Sequence, residues 1–551
     1  MSKAIEELKN YIKENSGSAN EFLLNLNHFG LENIYFQEYK NKDEYLNLSK
    51  FNKHMKGFGE TVEKELEQLA FKFEEAGIKL VHFKGVLLAK ELYSPPELRK
   101  FSDIDVLIDT NYLAEALDIF RELGYVFSEG NKVPSINTKL NFPFFDYLTR
   151  TCHIQELVKT IYVDEEPVKL FVDLHARIFN DLVTEWSYVK SIILRALKSD
   201  KYWLLEHNDR LIHLLCNFTK DYIDTGIMHT FLGQPVKKKL VSLLDSALLI
   251  DKYTSLIHWD TIISRSMGWG KQGELLFALK IFNEIFKQRV PSEVFTKLEE
   301  NLGNYKNEVG YKVRALPYYL RKDPNSILWA ERLTLYRESI NEMDWKGPIL
   351  RISEAERIIV NRECIKLGNS SDEERKISFR FDLKIEDKYL IVQTLVHDEW
   401  FTHSKINNSN SNFISLYFGT SGIDDQGNRV PLVQILNFYP KYNTGDVNLL
   451  YIWNSIKEKD TTDSYTGDKN TIPFTHPYKL NAKANGYELT IYLPLNELLF
   501  YREGDSACWF DINVSYSNED GKGRECILAY ANRNGQRWYD PSCYAKLILN
   551  E

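Results

Sequence analysis

The sequence predicts a multidomain α+β protein with a small mixed-sheet core, a helical bundle and a C-terminal antiparallel β-sandwich. The chain has 551 residues, which is too long for one ordinary hydrophobic core. Short β-rich runs alternate with helical runs before about residue 190, and a leucine-rich helical pattern follows. After about residue 350, runs of alternating polarity are separated by loops rich in Asn, Asp, Gly and Ser, as in a sandwich.

We predict four parts along the chain. They are an N-terminal helical segment (1–60), an α/β core (61–190), a helical domain (191–345) and the β-sandwich (346–551). Within the core the order is strand, helix, strand, helix, strand, carried by the runs "IKLVHF", "VLLAKELYS", "SDIDVLID", "YLAEALDIFRELGY" and "VKLFVDLHARIF". Gly124 is the expected C-cap of the second helix. In the sandwich, a turn at Glu386-Asp387 between two alternating runs predicts a hairpin.

Composition and charge restrict the partners and the compartment. The net charge of −9 argues against a protein that coats nucleic acid. The start of the chain, "MSKAIEELKNYIKENSG", is amphipathic and charged, so we expect no signal peptide. No run approaches the roughly 20 apolar residues that would span a membrane. The six cysteines form no CxxC pair, which suits a reducing compartment and gives no zinc signature. We therefore predict a cytoplasmic protein without a membrane partner.

Two carboxylates stand one residue apart in the run "FSDIDVLIDT". In a strand, residues i and i+2 face the same side, so Asp103 and Asp105 project together. Like charges held that close repel unless a cation lies between them or the pair faces water at a strand end. Asp173 lies on the third strand of the core, in "FVDLHAR". If the two strands are neighbours, the three carboxylates form an oxygen-rich site of the kind that Mg²⁺ prefers.

Candidate phosphate-binding groups come just before these carboxylates. The run "HFKG" places Lys84-Gly85 at a turn from strand to helix, where free backbone amides can hold a phosphate. Gly85 permits a close approach of the backbone, and Lys84 adds a positive charge. Arg99, four residues before Asp103, is a further candidate, with an ordinary surface cation as the alternative interpretation.

These motifs together resemble the polymerase-beta-type nucleotidyltransferase superfamily. More narrowly, "LVHFKGVLLAKELYSPPELRKFSDIDVLI" followed by "VDLH" resembles an uncharacterised bacterial nucleotidyltransferase family, over about residues 60–340. Lys84-Gly85 stands where the superfamily usually has Gly-Ser. The resemblance implies that Asp103 and Asp105 bind the metal that holds a triphosphate, and that they share a second metal with Asp173.

The resemblance also implies the remaining roles. Two Mg²⁺ ions are expected, with Mn²⁺ as an alternative ion. The phosphates would be held by Lys84, Gly85, Ser102 and Arg99. Asp173 would take the proton of the attacking hydroxyl. His175, on the same strand face, would orient Asp173 or touch substrate, or it is a core histidine. We interpret His213 as a core residue.

The C-terminal third resembles the family-nine carbohydrate-binding modules, over about residues 360–551. The counterparts of their motifs are residues 487–494, 510–524 and 538–549. Such modules stack aromatic rings on sugars and pair polar groups with the hydroxyls. The candidate sugar- or acceptor-binding residues are Trp400, Trp538, Tyr539 and Arg524.

The resulting prediction is a Mg²⁺-dependent nucleotidyltransferase. It would move NMP from an NTP, with ATP slightly favoured, to a hydroxyl or phosphate of a peptide, metabolite or glycan acceptor and release pyrophosphate. Relatives of the narrower family occur beside peptide natural-product genes, so natural-product biosynthesis is the expected setting. The absence of a basic stripe disfavours nucleic acid as a partner. Two alternatives stay open: a metal-dependent glycosyltransferase that uses D-x-D, and a catalytically inactive binding or scaffold protein.

Overall fold

The structure is a computed structural model of the chain. It describes residues 2–35, 38, 43–101, 103–127, 153–179, 187–225, 240–302, 311–330, 335, 338, 349–352, 358–360, 365–368, 376–398, 413–423, 429–441, 445–454, 472–498, 507–517, 524–531 and 545–548. Within these residues, no helix has the length and apolar character needed to cross a membrane.

The described α-helices all lie in the N-terminal two thirds of the chain. They are α1 (Lys3–Glu14), α2 (Ala19–His28), α3 (Asp43–Glu75), α4 (Val86–Leu92), α5 (Leu113–Glu122), α6 (Ser187–Arg195), α7 (His207–Thr219), α8 (Val241–Lys252), α9 (Trp259–Gly268), α10 (Gln272–Ile285), α11 (Ser292–Glu300), α12 (Tyr311–Arg321) and α13 (Pro324–Trp329). A π-helical turn, Lys220–Thr225, continues α7. Helix α3 runs through residue 60, where the sequence predicts a domain boundary.

Seven of the described strands form one mixed sheet in this part of the chain. They are β1 (Val81–His82), β2 (Asp103–Leu107), β3 (Val126–Phe127), β4 (His153–Val163), β5 (Glu166–His175), β6 (Leu197–Ser199) and β7 (Tyr202–Leu204). Their order across the sheet is β3-β4-β5-β2-β1-β7-β6. The pairs β2–β5 and β1–β7 are parallel, and the other neighbours are antiparallel. The mixed sheet expected from the sequence is therefore confirmed.

The strands β3, β4, β6 and β7 are not predicted by the sequence pattern. Residues 197–204 fall in a stretch that reads as helical, yet they form the β6–β7 hairpin at one edge of the sheet. Both strands have three residues and none of them is buried, so they carry no alternating apolar pattern. Their place is fixed by the parallel pairing of β7 with β1, which local sequence does not report.

Two apolar clusters hold the helices to the sheet. Helix α3 buries one stripe against the sheet, at the helical spacing of Val62, Leu66, Leu69 and Phe73. Gly77, with φ of +70°, follows the end of this helix. Helices α7, α8 and α10 form the centre of a second cluster, and α1 packs against α8 within it. The N-terminal helix is thus part of the helical core.

A buried ion pair joins the turn before β2 to the helical core. The Nη2 of Arg99 lies 2.8 Å from Oδ2 of Asp245 on α8, and its Nε lies 2.9 Å from Oδ1. The hydroxyl of Tyr93 donates to the same carboxylate at 2.7 Å. Burial opposes the charge on Arg99, but the Asp245 carboxylate offsets this and raises the pKa of Arg99.

The C-terminal part of the chain is a sandwich of two sheets. Its strands are β8 (Ile349–Arg351), β9 (Ile358–Val360), β10 (Ile365–Gly368), β11 (Ile377–Glu386), β12 (Tyr389–Asp398), β13 (Phe413–Ile423), β14 (Arg429–Lys441), β15 (Asp446–Asn454), β16 (Ile472–Pro473), β17 (Tyr478–Lys483), β18 (Gly486–Pro494), β19 (Ala507–Ser517), β20 (Arg524–Ala529) and β21 (Ala545–Ile548). Among the described residues, one sheet has nine strands and the other has five, in the order β17-β18-β12-β11-β9.

The two sheets share one apolar core. Phe381 on β11 and Phe510 on β19 approach across it, with ring centroids 6.2 Å apart. All neighbours are antiparallel except β8 and β21. The predicted hairpin is confirmed as β11–β12, and Asp387 in its turn has φ of +54°. The multidomain α+β class is therefore confirmed.

We expect Asp245→Asn to destabilise the N-terminal part by about 3–5 kcal/mol, because it leaves the buried Arg99 guanidinium without its counter-charge. Asp251→Asn is a matched control on the same helix. Asp251 pairs with Arg289 but is 37% exposed, so its loss should cost less than about 1 kcal/mol. Calorimetric unfolding measures both. Equal effects of the two substitutions would contradict the structural role of the buried pair.

Candidate active site

The parallel pairing of β2 with β5 brings the predicted carboxylates together. Asp105 lies directly opposite Asp173 in the register of the two strands, and Asp103 lies opposite Phe171. Asp103 and Asp105 share one face of the sheet because they are two residues apart. His175 is two residues beyond Asp173 and shares that face. The two strands are thus neighbours, as the sequence interpretation requires.

Three of these side chains offer a metal-binding geometry. One ligand atom each from Asp105, Asp173 and His175 lies within 4.8 Å of the others. Among the described residues, Asp103 is not a member of this group. The Asp105 side chain is fully buried, and its Oδ2 has no hydrogen-bond partner in the described part of the chain. A buried carboxylate oxygen without a partner is costly, and a divalent cation would satisfy it, so the residues fit such an ion.

The other oxygen of Asp105 is held by two basic side chains. The Nζ of Lys84 lies 2.7 Å from Oδ1, and the Nε2 of His175 lies 3.2 Å from the same atom. Burial alone would raise the pKa of Asp105, but Lys84 and His175 hold it well below its ordinary value. Burial likewise opposes the charge on Lys84, yet the carboxylates of Asp105 and Asp103 raise its pKa.

The pKa values of the other two carboxylates, Asp173 and Asp103, are raised instead of lowered. Burial raises the pKa of Asp173 to about 6; the charges of Asp105 and Asp103 add to this rise, while His175 and Lys84 oppose it. Burial and the neighbouring Asp105 also raise the pKa of Asp103. One face of the sheet therefore holds a carboxylate that stays ionised beside two that protonate more easily.

Gly85 sets the position of the Lys84 turn. It is the N-cap of α4 and has φ of +78°, which favours glycine. A Cβ at this position would lie 3.0 Å from the carbonyl oxygen of Asp103. The turn thus approaches the start of β2 more closely than another residue would allow, and this keeps Lys84 beside the carboxylates.

The helical domain supplies a wall of the site. The ring of Phe83 lies edge-on between the rings of His175 and His213, with both centroid distances at 4.9 Å. His213, on α7, is buried, and neither ring nitrogen has a hydrogen-bond partner in the part that the structure describes. Burial lowers its pKa to about 3, so it is neutral. The interpretation of His213 as a core residue agrees with this placement.

One charged residue near the site is not indicated by the sequence. Asp221 lies in the π-helical turn after α7, and its carboxylate contributes to the raised pKa of Lys84. The run "NFTKDYID" simply continues the helical pattern, so no local signal marks it. π-Helical turns inside helices are frequent at functional sites, which is the one structural signal that could have identified it.

The structure gives the remaining candidates different positions. Arg99 is committed to the buried pair with Asp245, so its expected phosphate contact stays a prediction and its alternative interpretation as a surface cation is wrong. Ser102 lies outside the described residues, as do Trp400, Trp538 and Tyr539. Arg524 begins β20, but its side chain is outside the described part.

The fold and site together define an α+β protein with a candidate metal-binding active site at the junction of a mixed sheet and a helical domain. Residues 23–287 match the model of a family described as "Uncharacterised nucleotidyltransferase". This range runs from α2 to α10 and includes the whole mixed sheet. The resemblance to a nucleotidyltransferase family is therefore confirmed for this region, and the match supports a generic nucleotidyl-transfer function. The search of curated proteins found no match.

The search of solved structures found carbohydrate-binding proteins, which are similar to the C-terminal part. A family 9 carbohydrate-binding module from Caldicellulosiruptor kristjanssonii in complex with glucose has 13% identity and a TM-score of 0.24, covering 36% of this chain and 85% of that one. The same kind of module with cellotriose has 14% identity and a TM-score of 0.24, covering 37% and 91%. A putative carbohydrate-binding protein from Bacteroides uniformis has 7% identity and a TM-score of 0.24, covering 37% and 100%.

We expect Asp173→Asn to stabilise the metal-free protein by about 1–3 kcal/mol at pH 7.5. The pKa of Asp173 is raised to about 6 in the folded state. Stability is therefore lost as the pH rises from the pKa of Asp173 in the unfolded chain to its pKa in the folded protein. The gain from Asn should therefore be smaller at pH 5 than at pH 7.5. Thermal unfolding in EDTA at the two pH values measures it.

Asp105→Asn is the matched comparison, and we expect it to act in the opposite direction. It removes the charge that holds Lys84 and His175, at a cost of about 1.5–3 kcal/mol at pH 7.5. If both substitutions changed stability with the same sign in EDTA, the division of these carboxylates into one stabilised and one destabilised ion would be wrong.

Proposed function

We propose that this protein is a metal-dependent nucleotidyltransferase that moves NMP from an NTP to a hydroxyl or phosphate of an acceptor and releases pyrophosphate. The observation that carries the proposal is the register of β2 with β5, which places Asp105 opposite Asp173 beside the Lys84-Gly85 turn. This arrangement lies inside the region that matches the nucleotidyltransferase family.

Asp105, Asp173 and His175 would hold a divalent ion, with Asp103 on the same face for a second one. When bound, such ions stabilise negative charge on the attacking and leaving oxygens of an in-line displacement. The carboxylates suit Mg²⁺ or Mn²⁺, whereas the imidazole of His175 is a ligand that Mg²⁺ rarely takes. The two-ion arrangement and the choice of Mg²⁺ are parts of the proposal.

The side chains of the protein would handle the proton and the phosphate charge. The acceptor oxygen attacks the α-phosphorus, and the bond from this phosphorus to the oxygen of the leaving pyrophosphate breaks. Asp173, whose pKa is about 6, takes the proton of an attacking hydroxyl. Lys84, Gly85 and Ser102 bind the phosphates, and Arg99, which Asp245 holds in this structure, is the fourth proposed phosphate contact.

The topology supports nucleotidyl transfer over the glycosyltransferase alternative. A fold that binds a nucleotide sugar needs several parallel strands before its D-x-D. Here the described strand before β2 is β1, which has two residues and runs antiparallel to β2. We therefore keep glycosyl transfer only as an outcome of the test below.

The acceptor and the setting belong to the proposal as well. A peptide, metabolite or glycan acceptor fits a protein with an acidic excess, and ATP is the slightly favoured nucleotide. The sandwich would recognise the acceptor, with Trp400, Trp538, Tyr539 and Arg524 as its candidate contacts. A bacterial cytoplasm and a role in natural-product biosynthesis are the proposed context.

We expect the protein to transfer α-labelled NMP to a component of a peptide and metabolite extract in the presence of Mg²⁺ or Mn²⁺. Asp173→Asn should lower the transfer about 100- to 10,000-fold, because it removes the proton acceptor and a metal ligand. Asp103→Asn should lower the transfer as well. The measurement is label in the product together with released pyrophosphate, for each of the four NTPs.

Asp260→Asn is the control, because Asp260 is 86% exposed on α9 and should leave transfer unchanged. Label transfer that survives Asp103→Asn and Asp173→Asn would contradict the proposal. Transfer of sugar from a nucleotide sugar, without pyrophosphate release, would support the glycosyltransferase alternative instead. Ligand binding without any turnover would support the inactive binding protein.

A further inference from the structure

Lys84 occupies the position of a counter-ion on the buried carboxylate at the centre of the site. Its Nζ lies 2.7 Å from Oδ1 of Asp105, whose side chain is fully buried. The second oxygen, Oδ2, is buried and has no hydrogen-bond partner in the described part of the chain. One carboxylate thus presents one oxygen to an internal cation and the other to the place where a metal ion would bind.

An ammonium group on Oδ1 and a divalent cation on Oδ2 would each weaken the binding of the other to this carboxylate. Both would lie within a few ångströms of each other, and the repulsion between like charges at that distance is large in a partly buried site. Asp105 cannot move away instead, because its side chain lies fully buried on β2. The group that can move is therefore Lys84.

Lys84 has the freedom and the alternative partners that such a movement needs. Its side chain is 27% exposed, and it stands at the turn before α4 rather than inside a strand. A lysine carries its charge on a flexible stem with several rotatable bonds. Asp221 in the π-helical turn is a second carboxylate within electrostatic range of Lys84. A triphosphate bound at the Gly85 turn would be a third anion within reach.

We propose that Lys84 is an internal competitor of the metal ion for Asp105. Metal binding releases Lys84 from Asp105, and the released ammonium group then binds phosphate oxygens. Metal alone therefore binds weakly, and nucleotide strengthens metal binding by stabilising the displaced position of Lys84. The nucleotide half of this inference rests on the proposed function, while the competition between Lys84 and metal does not.

The first test measures the affinity for Mn²⁺ alone, from the free-ion signal in electron paramagnetic resonance. We expect Lys84→Met to bind Mn²⁺ about tenfold more tightly than the unchanged protein, which corresponds to about 1.4 kcal/mol. Lys159→Met is the matched control. Lys159 also lies 2.7 Å from a carboxylate, that of Glu65, and its side chain is 21% exposed, so its removal should leave Mn²⁺ affinity unchanged.

Thermal unfolding shows whether the variant is folded and gives a second result. In EDTA, Lys84→Met should unfold at a lower temperature, because Asp105 has lost its counter-ion. Saturating Mn²⁺ should raise its unfolding temperature by more than it raises that of the unchanged protein. Equal Mn²⁺ affinity in the two folded proteins would overturn the competition.

A second test uses the unchanged protein and so does not depend on the folding of a variant. Acetylation of lysines by a water-soluble reagent is followed by mass spectrometry with and without Mg²⁺. Lys84 should react several-fold faster once metal displaces it, and Lys159 should not change. A nonhydrolysable NTP added with Mg²⁺ should protect Lys84 again. Unchanged Lys84 labelling at metal concentrations that occupy the site would overturn the inference.

The outcomes separate this inference from the proposed function. If Lys84→Met tightens Mn²⁺ binding but no NTP yields labelled product or protects Lys84, the competition stands and nucleotidyl transfer fails. If transfer occurs and Lys84 substitution leaves Mn²⁺ affinity unchanged, the proposed function stands and the competition fails. Absence of Mn²⁺ binding in both proteins would overturn both.

Discussion

The parallel register of β2 and β5 is the constraint on which the site depends. It sets Asp105 opposite Asp173 and leaves Asp103 and His175 on the same face. A shift of one residue would turn every side chain of one strand to the other face and separate the carboxylates. The buried side of β2 prevents this shift, because Ile104 and Val106 lie in the apolar cluster beneath the sheet. Hydrophobic packing on one face thus fixes the chemistry on the other.

Placing carboxylates on this face lowers stability, and the structure offsets the cost unevenly. Asp105 is fully buried but has Lys84 and His175 on one oxygen. Asp173 keeps a raised pKa in the same surroundings. A fold selected for stability alone would not keep an ionisable group such as Asp173, whose charged form is disfavoured by its surroundings. Such a local conflict is what a functional site produces, since a ligand or a proton transfer then supplies what the fold does not.

The sequence predicted the parts of the site that local patterns report. Asp103 and Asp105 follow from the period of a strand, and Asp173 from a motif on a later strand. The partner of Lys84 was not predicted, because a phosphate-binding lysine and a lysine that pairs with Asp105 have the same local sequence. Asp245 was not predicted as the partner of Arg99, since the two are 146 residues apart and meet only when α8 packs beside α4. The strands β6 and β7 were not predicted for the same reason, because long-range pairing with β1 defines their place in the sheet.

The helical domain is part of the site rather than a support for it. His213 on α7 contacts Phe83, which also contacts His175, and Asp221 in the turn after α7 acts on Lys84. The buried pair of Arg99 with Asp245 connects α8 to the segment that leads into Asp103. A change in the packing of α7 or α8 would therefore alter the surroundings of Lys84 and the position of β2 together. Since Lys84 must exchange Asp105 for another anion when metal binds, the helices that supply Asp221 and hold Arg99 set how readily this exchange occurs.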